Sequence, residues 1–192
     1  MTCQACGTSH WRNPKPCSGA LVTHRGKLLL VRRAHQPWAG RWDIPGGFCE
    51  PGEHPVLTAV RELEEETGLA IDVTALAGMW MDTYGPPDDQ GLEESTLNLY
   101  YFAELVGPDD PHPDPAEVSE VRWMGLDELP AGRELAFPDQ EAPVLELWRA
   151  AMAAGGPPRH RMPDDPRPGG RSSDGPRLEH GGSSRVAPVP PG

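Results

Sequence analysis

One stretch of twenty-three residues, Gly47 to Leu69 (GFCEPGEHPVLTAVRELEEETGL), constrains this chain more than any other. Pro55 suits a first helical position and Gly68 the residue just past a helix end, so the spacing predicts a helix over Pro55–Thr67. At about 100° per residue, Val56, Ala59, Val60, Leu63 and Thr67 share one side, while Glu62, Glu65 and Glu66 cluster on another. One face belongs to a core and the other is acidic. Glu62 is four residues from Glu66 and three from Glu65, and such like charges repel by roughly 0.2–0.5 kcal/mol per pair on an isolated helix. A cation is needed to reconcile them. Carboxylate oxygens are hard ligands suited to Mg²⁺ or Mn²⁺, and Mg²⁺ is usually held by a few protein carboxylates together with substrate phosphates. Glu53, in the turn before the helix, is a further candidate ligand. On an ordinary surface the same glutamates would form a solvated face, with Arg61 paired to Glu65.

Gly47, five residues, Glu53, seven residues, Arg61-Glu62-Leu63, one residue, Glu65-Glu66, one residue, then Gly68-Leu69 resembles the complete Nudix box of the Nudix hydrolases. The pattern fixes nine positions, and a merely charged surface would not explain its paired glycines and spacing. The resemblance implies an α/β/α sandwich around a mixed sheet, and metal-dependent hydrolysis of a diphosphate in a nucleoside diphosphate linked to another group. It implies that Glu62, Glu65 and Glu66 hold Mg²⁺ or Mn²⁺ with Gly47 at the metal site, that Glu53 is a further ligand or base, and that Arg61 orients the glutamates through ion pairs. In some family members the general base lies on a late loop, for which Glu117 and Glu120 are the candidates here.

Around this stretch the chain reads as strands. Ala20-Leu21-Val22 and Leu28 to Val31 flank a hairpin signal, His24-Arg25-Gly26-Lys27. Arg32-Arg33 ends the second strand, and the resemblance makes an arginine there a phosphate contact. Gln36 to Gly47 is similar to the family's approach to the box, a loop and a short strand into a glycine turn. Within it Trp38 and Trp42 either stack a base or pack into the core, and Arg41 joins Arg32, Arg33 and Trp38 as a candidate substrate contact. Ile71 to Val73, Leu76 to Met81, Leu97 to Ala103 and Val118 to Met124 are further strand segments, and Pro143 to Ala153 is a helix with Val144, Leu147, Trp148 and Ala151 at core spacing.

At the N-terminus Cys3 and Cys6 resemble one knuckle of a zinc ribbon, a module found ahead of some Nudix domains. Only His10 and Cys17 lie near enough in sequence to complete a four-ligand Zn²⁺ site, and the plainer reading is a ribbon remnant or a frayed end. At the other end, seventeen of the last thirty-eight residues are glycine or proline, so Gly155 to Gly192 is expected to be disordered. The expected organisation is therefore a segment 1–17, a catalytic domain 18–154 and a tail 155–192.

The net charge of −12 argues against duplex nucleic acid as a partner, because nonspecific binding needs a basic footprint. An acidic protein working on phosphates must rely on bound metal and a few local arginines. No segment approaches the ~20 apolar residues of a membrane span, so the expected location is the cytoplasm. The expected partner is a small nucleotide, and a homodimer is left open. Tyr84, Pro86 and Pro87 straddle the position whose residue type marks substrate preference in the family. ADP-ribose or a similar nucleotide sugar is favoured, with nucleoside triphosphates or dinucleotides as the alternative. A non-catalytic nucleotide sensor is the reading from a different class, and the intact glutamates oppose it.

Overall fold

Alternation of apolar residues in the first hairpin sets up both faces of the sheet. In the computed structural model, which describes residues 4–9, 13–85, 94–160 and 165–167, β1 (Lys15–His24) and β2 (Lys27–Arg33) pair antiparallel beside the turn, with Thr23 opposite Leu28. Arg25 and Gly26 both have positive φ, as a two-residue turn matched to strand twist requires. Along β1, Ala20 and Val22 face one cluster of buried side chains and Leu21 faces the other. On β2, Leu29 sides with the first pair and Leu28 and Leu30 with Leu21.

Beyond the turn β1 and β2 diverge, and the chain returns to fill the gap. β3 (Trp42–Asp43) pairs with β2, and after Ile44 and Pro45 the strand β4 (Gly46–Phe48) pairs with β1. The segment 42–48 therefore crosses from one strand to the other at the split. α1 (Pro55–Thr67) follows with the boundaries that Pro55 and Gly68 predict, Gly68 being left-handed at φ 70° and donating its N–H to Glu64 O. Next come β5 (Ala70–Tyr84), β6 (Glu94–Val106), β7 (Val118–Met124) and α2 (Pro138–Ala153), with one 3-10 turn at Gly132–Glu134. The sheet runs β3-β2-β1-β6-β5, with β4 attached to β1 and β7 to β2. β1 and β6 are parallel and the other pairs antiparallel, so the sheet is mixed.

α1 covers one face through Val56, Ala59 and Leu63, and α2 the other through Val144, Leu145 and Trp148. This is the expected sandwich, with three differences. β5 is one strand rather than two segments, because register shifts at Val73/Ala75 and Leu76/Gly78 interrupt its alternation. α2 starts at Pro138 rather than Pro143, and the Glu141 side chain accepts the Phe137 N–H at its start. Finally, the chain beyond Ala154 is not wholly without structure. The His160 N–H donates to Thr74 O, Arg159 pairs with Glu104, and the Arg167 guanidinium bridges Asp165 and Asp72, both at β5 or against it. The expected tail is thus corrected for 155–160 and 165–167, where two buried or half-buried ion pairs and a backbone bond offset the cost of ordering. The rest of the tail, Cys3, Pro86 and Pro87 lie outside the described residues. Among the described residues no helix is long and apolar enough to cross a membrane.

Candidate active site

The split between β1 and β2 opens a cleft of about 270 Å³, walled by the glycine turn, the acidic side of α1, the ends of β5 and β6 and the first turn of α2. Close packing places the turn. Ala20 N–H donates to Pro45 O at 3.0 Å, Ser18 Oγ–H to Pro55 O at 2.6 Å, and a Cβ on Gly46 would lie 2.4 Å from Ser18 O. Gly46 also has φ 157°, and its N–H donates to Glu66 Oε2 at 3.1 Å. A Cβ on Gly47 would come 2.4 Å from the carboxyl carbon of Glu62. The two glycines let the carboxylates of α1 rest directly on the turn.

The glutamates of α1 divide into two groups. Arg61 gathers the outer one: its Nε and Nη2 donate to the two oxygens of Glu53 at 2.9 Å each, and its Nη1 donates to Glu62 at 2.7 Å and Glu65 at 2.9 Å. Glu53 also accepts from Thr58 Oγ1 and Glu50 N, so both its oxygens are engaged, and the Arg61 bonds hold its carboxyl down to about 2. Glu66 forms the inner group. Its carboxyl is withdrawn into the cleft wall, where burial first, then Asp43 and Glu62, push its pKa well above the usual carboxylate range. Glu62 belongs to both: burial raises its pKa although Arg61 pulls the other way, and Glu65 and Glu117 add to the rise.

Facing these carboxylates is Arg33. Its Nη1 donates to Asp43 Oδ2 at 2.8 Å and its Nε to Pro37 O at 2.9 Å; burial works against its charge, but Asp43 outweighs it. Behind Asp43 lies Glu141, fully buried, accepting from Ile44 N at 3.0 Å and Phe137 N at 2.7 Å. Burial first, then Asp43, raise its pKa well above the usual carboxylate range, which disfavours its charged form. Sequence reasoning missed both acids. Their signal is weak: one sits in a two-residue strand and the other in a helix whose start was misplaced.

Of the other expected contacts, Arg33, Glu117, Glu62, Glu66 and Gly47 line the cleft together. Arg32 lies outside it, over the Trp42 ring at 4.5 Å and paired with Glu120, which also pairs with Arg122. Arg41 lies over the Trp38 ring at 4.8 Å, away from the cleft. Trp42 packs into the core. Cys6 is exposed and carries a 3.3 Å bond to Thr8 Oγ1.

Among the described residues no three histidine, cysteine or carboxylate side chains converge into a ready cage for an ion, because Arg61 stands between Glu62, Glu65 and Glu53. The donor set nevertheless fits a hard divalent cation. Glu62 and Glu66 offer carboxylate oxygens at one wall, both with raised pKa values that a cation would reverse, and Gly47 keeps the space beside Glu62 open. Mg²⁺ needs only one or two such carboxylates when substrate oxygens complete its shell.

Comparison with known proteins identifies the family. Residues 14–147 match the model of the NUDIX domain. An ADP-ribose pyrophosphatase of Methanocaldococcus jannaschii is 30% identical over 137 residues, covering 71% of this chain and 75% of that protein. An NAD-capped RNA hydrolase NudC of Stutzerimonas stutzeri is 33% identical over 131 residues, 68% of this chain but 44% of the relative. The crystal structure of a NUDIX hydrolase from Nitrosomonas europaea superposes with a TM-score of 0.66 at 30% identity, covering 83% of each chain.

Proposed function

This chain belongs to the NUDIX domain family and is a Nudix hydrolase, and from that premise we propose that it cleaves the diphosphate of a nucleoside diphosphate joined to a sugar, of which ADP-ribose is the first candidate. The observation that carries the reading is the pairing of walls in one cleft: desolvated Glu62 and Glu66 at the glycine turn, and the Arg33 guanidinium opposite. A diphosphate with its counter-ion matches that arrangement, because the carboxylates hold the cation and the arginine meets the phosphate oxygens.

Glu62, Glu66 and the Gly47 turn would hold Mg²⁺ or Mn²⁺, with Glu65 reaching it once released from Arg61. When bound, the ion neutralises phosphate oxygens and lowers the pKa of attached water. Arg61 keeps Glu62 aimed and holds Glu65 in reserve, and Glu53 holds Arg61; with both oxygens engaged and its pKa near 2, Glu53 is a support rather than a base. Glu117 is the better base. It lines the cleft and raises the pKa of both Glu62 and Glu66, so its carboxylate is near them, and its backbone is fixed by Ala34 N–H donating to Glu117 O at 2.8 Å. There it accepts a proton from the attacking water while Arg33 orients the phosphates. Glu120, tied to Arg32 and Arg122, lies outside the cleft.

The test is phosphate release, with and without alkaline phosphatase, from ADP-ribose, NADH, diadenosine polyphosphates and nucleoside triphosphates in Mg²⁺ or Mn²⁺. Release from ADP-ribose only after phosphatase treatment is the expected result. Preference for triphosphates would move the reading to the alternative, and no turnover of any would favour a sensor.

A further inference from the structure

The end of the cleft formed by α2 carries a feature that the hydrolytic machinery does not use. Gln140, in the first turn of α2, lines the cleft and is 5% exposed, and its Oε1 is buried with no hydrogen-bond partner among the described residues. A buried acceptor left unpaired is costly, and folded proteins keep few of them. Here the residue cannot relax easily, because its neighbours fix the turn it stands on. Glu141 accepts both Ile44 N–H and Phe137 N–H, and Gln140 N–H itself donates to Phe137 O at 3.2 Å. Among the described residues no protein donor reaches Oε1, so its donor comes from what occupies the cleft.

The surroundings say what kind of molecule. Asn98, 7% exposed on β6, lines the same cleft and directs its Nδ2 at Thr96 Oγ1, so a second amide is held in place in the cleft wall. Tyr84 and Phe137 stack with ring centroids 5.9 Å apart and an interplanar angle of 26°, and Phe48 meets Tyr84 edge-on at 5.3 Å. Flat apolar rings beside two fixed amides suit a planar heterocycle with hydrogen-bonding edges. The unpaired acceptor chooses the edge. Gln140 Oε1 takes an N–H and repels a carbonyl oxygen, and the Arg33 guanidinium, over the Phe137 ring at 5.7 Å, marks the end of this wall that suits phosphates.

We propose that Gln140 is a specificity-determining residue that reads the exocyclic amino group of an adenine, with the base lying against the Tyr84–Phe137 wall and its phosphates toward Arg33 and the α1 carboxylates. This rests on the reading of the cleft as a nucleoside diphosphate site, and it adds that the base, not only the diphosphate, is recognised. A glutamine amide can meet adenine with both its acceptor and its donor, whereas hypoxanthine carries a carbonyl where adenine carries the amino group.

The experiment is calorimetric titration of the full chain with AMP and with IMP in Mg²⁺, which needs no turnover. AMP should bind about tenfold more tightly than IMP, and Gln140→Met should bring the two within about twofold by weakening AMP alone. Equal affinity for AMP and IMP in the unaltered protein would overturn the proposal, and so would a preference that survives in Gln140→Met. The comparison in the unaltered protein stands even if that variant fails to fold. A clear AMP preference without hydrolysis of ADP-ribose would keep this inference and remove the proposed reaction; hydrolysis of ADP-ribose and its inosine counterpart at equal efficiency would keep the reaction and remove the inference.

Discussion

The two acidic regions that meet at the glycine turn differ in burial and in access to a guanidinium. Around Arg61, Glu53, Glu62 and Glu65 share one cation, and Glu53 is held as a carboxylate down to about 2. A few residues away, Glu66 and Glu141 are buried among other acids, with Arg33 committed to Asp43, and both have raised pKa values. The same side chain is thus a fixed anion in one place and a reluctant one in the other. In the proposed reading the acids held by Arg61 build the turn, and the desolvated Glu66, with Glu62 between the two groups, receives the cation.

The largest effect should come from removing the reluctant anion. Glu66→Gln keeps an acceptor for Gly46 N–H but takes away the charge, so turnover on the best substrate should fall by more than about a hundredfold while metal-free melting temperature rises. An active variant, or one less stable without metal, would break the contrast. Arg61→Gln attacks the other side. It leaves Glu53, Glu62 and Glu65 without their shared cation, and should cost about tenfold to a hundredfold in turnover together with roughly 1–3 kcal/mol in denaturant unfolding.

Removal of the tail contact sharpens the picture by separating stability from catalysis. Arg167→Leu leaves Asp165, 6% exposed, buried without that cation, and should lower stability by about 2–3 kcal/mol in urea with turnover unchanged. A truncation after Ala154 should also melt lower. Equal stability of the full and truncated chains would show that the contacts with β5 contribute nothing.

The smallest effect is a matter of pH. Because Glu53 has a lowered pKa, its contribution is complete above the ordinary value of 4.5 and is lost as pH falls toward about 2. Because Glu66 has a raised one, its contribution is complete below 4.5 and is lost as pH climbs through the raised value. Melts of the metal-free protein should therefore show Glu53→Gln less stable than the parent at neutral pH, the gap closing between pH 4.5 and 2. Glu66→Gln should be more stable at neutral pH, and that gap should vanish below 4.5. Gaps of the same sign would mean that the two acids share one environment.

What the sequence revealed follows from how local each signal is. Pro55 and Gly68 mark α1 to the residue, and the β1–β2 turn is read from Arg25-Gly26, because these are neighbours along the chain. The ion pairs of Arg61 with Glu62 and Glu65 are legible for the same reason, since a helix brings positions 61, 62 and 65 together. Asp43 and Glu141 were missed because their pairing is made only by tertiary packing of α2 against the crossing segment. Pro143 misled the reading of α2, a second proline at 138 being the true first turn. Arg167 was taken for a solvated tail residue on composition, which averages over a short stretch that meets Asp72 on β5.

The parallel ladder between β1 and β6, from Lys15 beside Thr96 to Thr23 beside Glu104, joins stretches about eighty residues apart along the chain. The acidic helix and the glycine turn are finished long before β6 leaves the ribosome, but the wall bearing Asn98 and the α2 turn bearing Gln140 are made last. A nascent chain would therefore hold clustered carboxylates before the cleft around them is closed, and this distant pairing is what joins the acidic helix to the wall proposed to read the base. Contacts so remote in sequence form slowly. The order of synthesis thereby leaves the α2 end of the cleft until after the acidic helix and the glycine turn.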